Sequence, residues 1–132
     1  MITFQTTRLK EDFDVSVDIK PKLRDLMNKL DAFSSSFSMP SLYVTSILRK
    51  DDLGQHSTGE AFDVRLIDVG ATGGRAPRYT LEQLALILDY LETNFPRFDK
   101  GPSGKQFSTA RFEGRDVDLH LHISVDIIKG VE

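Results

Sequence analysis

The sequence predicts an α+β domain with a mainly antiparallel sheet and two principal helices. Three observations carry that expectation: two stretches with apolar residues at helical spacing, separate strand-like runs, and a pair of strand-like segments near the C-terminal end that flank a short turn. A chain of 132 residues can bury one hydrophobic core, so a single domain over residues 1–132 is expected, without internal repeat or linker.

The first helix is expected in "KPKLRDLMNKLDAF", where Leu23, Leu26, Met27, Leu30 and Phe33 share one face and Pro21 suits the first turn. A buried strand follows in "SLYVTSILR", Ser41 to Arg49, bounded by Pro40 and "KDDLG". A second strand, "EAFDVRLIDV", alternates Ala61, Asp63 and Arg65 against Phe62, Val64 and Leu66. The second helix is the best signalled: in "TLEQLALILDYLETNF", Thr80 and Gln83 form a capping-box pair, Tyr79 can staple to Leu84, and Pro96 stops the helix. Finally, "FSTARFE" and "VDLHLHISV" flank "GRD" as a hairpin. If Asp116 to Val125 is all strand, Asp116, Asp118, His120, His122 and Ser124 share one face and Val117 to Val125 supply the apolar other.

Two loops are glycine-rich, "GATGG" and "DKGPSGKQ". The second is no phosphate loop, because Asp99 stands where a glycine is needed and Gln106 where Ser or Thr would ligate magnesium. With a net charge of -3 and no basic block, nucleic-acid binding is not expected. There is no cysteine, which excludes disulfides, thiolate catalysis and Cys-ligated zinc fingers, so a metal site must use His and carboxylates. The start of the chain has no secretory h-region and no run reaches the roughly 18 apolar residues of a membrane span. Synthesis in the cytoplasm and no membrane partner are therefore expected.

The three histidines, His56, His120 and His122, fall in two patterned places, one of them just ahead of Asp63. Two imidazoles and a carboxylate make a catalytic zinc set that leaves a position for water, whose pKa falls to about 7. His120 and His122, at i and i+2 on a strand, would lie roughly 6.5 Å apart at the backbone. Both can reach one ion, or one can ligate while the other faces the substrate. By themselves they also suit a solvated strand face.

The string His56-x-x-Gly59-x-Ala61-x-Asp63, followed by His120-x-His122, resembles the metal motif of the zinc D-Ala-D-Ala carboxypeptidase superfamily. That group includes D-alanyl-D-alanine dipeptidases and the L-alanyl-D-glutamate endopeptidases of phage endolysins, and the Hedgehog signalling domain shares its fold. The resemblance runs from about Val44 to Val125. It implies zinc held by His56, Asp63 and His122, and it maps a substrate-holding arginine from the family's Thr-Ser-x-x-Arg strand end onto Arg49. Small residues at Gly59 and Ala61 would keep the backbone close to the metal.

The chain departs from that pattern in two places. Many members carry a general-base Glu three residues before the last zinc His, where this chain has Leu119, and the chain has no Trp; the Hedgehog-like variant has an acid six residues before it, which is Asp116. Asp116 is accordingly the expected proton acceptor, with Asp118 next in line and His120 stabilising the oxyanion or the leaving group. Gly54 also stands where the family often has Ser. The resemblance thus implies a monomeric zinc metallopeptidase cleaving peptidoglycan stem peptides, as a carboxypeptidase or an endopeptidase, of the kind a phage or prophage lysin or a cytoplasmic dipeptidase would carry. The alternative is a non-catalytic, metal-stabilised structural or interaction module of the same fold. A serine hydrolase is disfavoured, because there is no G-x-S-x-G.

Overall fold

The computed structural model describes residues 1–47, 59–101 and 103–126. Its elements run β1 (Thr3–Phe4), α1 (Thr7–Val15), α2 (Pro21–Ser36), β2 (Tyr43–Ser46), β3 (Ala61–Arg65), β4 (Ile67–Val69), β5 (Arg75–Pro77), α3 (Leu81–Asn94), β6 (Ala110–Glu113) and β7 (His120–Ser124), with a 3₁₀ turn at Asp116–Asp118. The main sheet has the order β1-β2-β3-β7-β6. Only its β1–β2 edge is parallel. The fold is α+β with a mostly antiparallel sheet, and three helices are described where two principal ones were expected.

The additional helix, α1, fully buries none of its nine residues and rests on the core through Leu9 and Phe13 alone, a stripe too short to stand out in the sequence pattern. Thr6 caps it by accepting from the Leu9 amide, and Phe13 rests against Phe4 with ring centroids 5.4 Å apart. In contrast α2 and α3 behave as their patterns dictate. Leu23, Leu26, Met27 and Leu30 of α2 and Ile87 and Leu91 of α3 are buried, and Thr80 and Gln83 form the reciprocal cap at the start of α3. These helices meet the apolar face of the sheet, where Leu30 and Ile87 lie with Val64, Leu121 and Ile123. One contiguous core results.

Two expected strands are resolved differently. The run "EAFDVRLIDV" is two strands broken at Leu66, whose amide donates to the Leu119 carbonyl and whose side chain turns into the core. Beyond the break, β4 leaves the main sheet and pairs with β5 across "GATGG", which is therefore a tight hairpin. In the last segment the strand begins at His120 and not at Asp116, because Gly114 and the 3₁₀ turn intervene.

Glycine at position 59 has a specific cause. Its φ is +74°, and a Cβ there would stand 1.9 Å from the Asp18 carbonyl oxygen. The Gly59 carbonyl in turn accepts from the Lys20 amide, so this residue locks the start of β3 against the entry to α2. The steric demand comes from the backbone at Asp18. At the other end of the sheet, the Arg78 guanidinium and the Tyr79 hydroxyl both donate to the Ser41 carbonyl, at 2.6 and 3.0 Å, and tie the lead-in of β2 to the start of α3. Burial raises the pKa of the Tyr79 hydroxyl, so it serves as a neutral donor. No helix among the described residues is long and apolar enough to cross a membrane.

Candidate active site

The face of the sheet opposite the helices collects the polar residues of three neighbouring strands. On β3, Phe62 and Val64 point into the core, so Asp63 and Arg65 point away from it; on β7, Leu121 and Ile123 point in, and His120 and His122 out. The antiparallel register sets Asp63 directly against His122 and Arg65 against His120. On the far side of β7, β6 sets Glu113 against His120 and Arg111 against His122. Residues far apart in sequence thus converge because each pair of facing positions in a sheet lies about 5 Å apart.

The centre of this arrangement is the Asp63–His122 pair. Both side chains are buried, each residue being 5% exposed, and Asp63 Oδ1 stands 3.1 Å from His122 Nδ1. His120 stands at the solvent side, with Nε2 3.8 Å from Asp63 Oδ2 and 3.5 Å from Glu113 Oε1. Its Nδ1 lies 2.7 Å from the Asp118 carbonyl oxygen. A carbonyl only accepts, so Nδ1 carries a hydrogen and the ring is held with Nε2 toward the two carboxylates.

Glu113 is the residue that sequence reasoning missed. Its Oε1 is 4.0 Å from His122 Nδ1, while its Oε2 accepts from Arg111 Nε. Partial burial alone would raise its pKa, but the bond from Arg111 and the neighbouring charges of His122 and Arg111 outweigh it, so the pKa is lowered and Glu113 is a carboxylate at neutral pH. The signal that would have found it is cross-strand pairing: it ends the first arm of the expected hairpin.

Asp116 stands elsewhere. The even-number parity with His122 presupposed continuous strand, and Asp116 lies in the 3₁₀ turn with φ +50°. Its side chain is 79% exposed and pairs with Arg75 at 3.9 Å. Asp118 is likewise exposed and meets the site through its backbone carbonyl. Of the expected site residues, Asp63, His120 and His122 come together, and Asp116 does not join them. His56 and Arg49 lie outside the described residues, as does Gly54.

Beside Asp63 and His120 opens a cavity of about 280 Å³, lined further by Ser46, Arg65 and Asp118. A bulge in β2 shapes it: Val44 faces Val64, yet Ser46, two residues on, faces Asp63, only one residue back. The extra residue turns both Thr45 and Ser46 toward the cavity. Among the described residues, no group of three His, Asp or Glu side chains is gathered tightly enough to hold a metal on its own. Asp63 and His122 are two adjacent donors. No family model, no curated protein and no solved structure matches this chain.

Proposed function

We propose that this protein is a zinc metallopeptidase of the D-Ala-D-Ala carboxypeptidase type, with a Hedgehog-like fold, that cleaves peptidoglycan stem peptides as a carboxypeptidase or an endopeptidase. A phage or prophage lysin module is the setting that suits it. The observation that carries the reading is the buried Asp63–His122 pair, brought together from the two halves of the motif His56-x-x-Gly59-x-Ala61-x-Asp63 and His120-x-His122.

The donor set fits the ion. Zinc bound by oxygen and imidazole nitrogen at about 2.0–2.1 Å in a tetrahedron requires neighbouring donors roughly 3.3 Å apart. Asp63 Oδ1 and His122 Nδ1, hydrogen-bonded at 3.1 Å, would reach that spacing with little movement once the shared hydrogen is lost. His56, three residues before Gly59 at the head of β3, would be the third ligand. Zinc, when bound, supplies a Lewis acid that polarises a peptide carbonyl and acidifies water.

The remaining roles belong to the chain. Glu113, ionised and with one oxygen toward the imidazoles, replaces Asp116 as the acceptor of the proton given up by the attacking water. His120, its Nδ1–H held by the Asp118 carbonyl, would receive at Nε2 the proton that Glu113 takes from water, 3.5 Å away, and as the imidazolium stabilise the substrate oxyanion and then pass that proton to the leaving amine. Arg49 would hold a substrate carbonyl or carboxylate.

Metal analysis and digestion of purified peptidoglycan, read by mass spectrometry, test the proposal. About one zinc per chain is expected, lost in His122→Ala and in Asp63→Asn together with all peptide cleavage. A wild-type protein that takes up no zinc ends the reading. One that holds zinc but releases no fragment is the non-catalytic, metal-stabilised module instead.

A further inference from the structure

We propose that the cavity beside Asp63 is a carboxylate-binding subsite in which Arg65 holds a free carboxylate of the substrate. The identity of the ligand rests on the peptidase reading; the binding chemistry does not.

Arg65 differs from the other arginines that the fold engages. Arg24, Arg78, Arg97 and Arg111 each donate to an oxygen of the protein, and Arg75 pairs with Asp116. Arg65 makes no ion pair with a carboxylate among the described residues. It is half-buried and stacked on the ring of Tyr43, its guanidinium carbon 4.4 Å from the centroid. The register explains the stack: with Val44 facing Val64, Tyr43 lies across from Arg65. Stacking satisfies the flat face of a guanidinium and leaves its N–H edge for an acceptor.

The cavity supplies that acceptor's place. Arg65 lines it together with Gln5, Thr45 and Ser46, all able to donate a hydrogen bond. The acids nearby do not compete for the guanidinium: Asp63 is turned to His122, and Asp118 stands at the exposed rim. A planar anion matches the planar fork, and a volume of about 280 Å³ accommodates an amino-acid-sized group. Because Asp63 and Arg65 are two residues apart on one face of β3, a carboxylate held by Arg65 lies roughly 7 Å along the strand from the Asp63–His122 pair. That is the distance of a residue next to the bond attacked.

Calorimetric titration with N-acetyl-D-alanyl-D-alanine (terminal carboxylate), N-acetyl-L-alanyl-D-isoglutamine (side-chain carboxylate) and the amide of each tests this. The wild-type protein is expected to bind at least one acid about tenfold more tightly than its amide, and the acid that shows the preference identifies the source of the carboxylate. Arg65→Gln removes the preference, Arg65→Lys keeps part of it, and Tyr43→Leu weakens it by freeing the guanidinium. No preference in the wild type, or a preference that survives in folded Arg65→Gln, overturns the subsite. Zinc content and peptidoglycan digestion on the same preparations separate the two proposals. A zinc-loaded, active Arg65→Gln that still prefers the acid ends the subsite alone; a protein that takes no zinc yet discriminates through Arg65 ends the peptidase reading alone.

Discussion

Two charged clusters are tied to opposite ends of β7, and they are built on different principles. At the Ser124 end, Arg97 is 2% exposed, and among the described residues its guanidinium meets both oxygens of Asp99, the Ser124 hydroxyl at 2.6 Å, and Asp126 at 3.9 Å. Phe107 lies against its face with the ring centroid 4.5 Å away. At the His120 end, Asp63 and Glu113 face two imidazoles, those of His120 and His122. A permanent cation enclosed by opposite charge holds chain segments together and offers no reagent. Carboxylates facing imidazoles can bind a cation or move a proton. The first cluster is expected to matter for stability and the second for chemistry.

The largest expected effect is on the chemical end. If the protein is the zinc peptidase proposed above, Glu113→Gln should retain zinc and lower peptide cleavage by about 10²–10⁴-fold, whereas Asp116→Asn leaves the rate unchanged within assay error. Cleavage rates measured beside metal content decide it; a collapse in Asp116→Asn with Glu113→Gln unaffected would return the base role to the 3₁₀ turn.

Next comes the structural end. Arg97→Met strands Asp99 and Asp126 near the core and should cost about 3 kcal/mol by urea unfolding, the lower end of the range for a broken buried pair because both acids keep some solvent contact. Zinc content should not change. If Arg97→Met also releases the metal, the two clusters are one unit and the division fails.

The smallest effect is a pH dependence confined to the Arg97 cluster. The hydrogen bond from Arg97 lowers the Asp99 pKa from 3.8 to about 2. A depressed carboxylate stabilises the fold fully above its unfolded value and loses that contribution as pH falls through the folded one. The stability difference between wild type and Asp99→Asn should therefore be constant above about pH 5, fall as the pH drops from there, and be largely lost by about pH 2. A difference that persists undiminished at pH 2 would assign the role of Asp99 to something other than its charge.

Much of the fold was legible along the chain. The Thr80–Gln83 cap, the α2 stripe from Leu23 to Leu30, and the alternation at Ala61–Arg65 are local features, and each corresponds to an element. Asp63, His120 and His122 stood out as chemistry-bearing residues for the same reason. Glu113 did not. A hairpin closed tightly over Gly114–Asp116 would set Glu113 against Val117, on a continuous strand that also points Asp116 at the site. The real connection is longer: Gly114 adopts φ +80°, with the Asp118 carbonyl so near that a Cβ would stand 2.4 Å from it. That compact turn moves Glu113 opposite His120 and sends Asp116 into solvent.

The sequence by itself determined which residues are apolar, where helices begin and stop, and which strand positions share a face, because those depend on neighbours within a turn or a pleat. The motif resemblance implied that Asp63 meets His122; the tertiary structure alone decided that they do so as facing residues of β3 and β7, that Glu113 rather than Asp116 faces the imidazoles, and that Arg65 lies flat on Tyr43. Those are matters of register between strands. A shift of one residue would carry every one of these side chains to the other face, and what forbids it is the packing of Phe62, Val64, Leu121 and Ile123 against the helices.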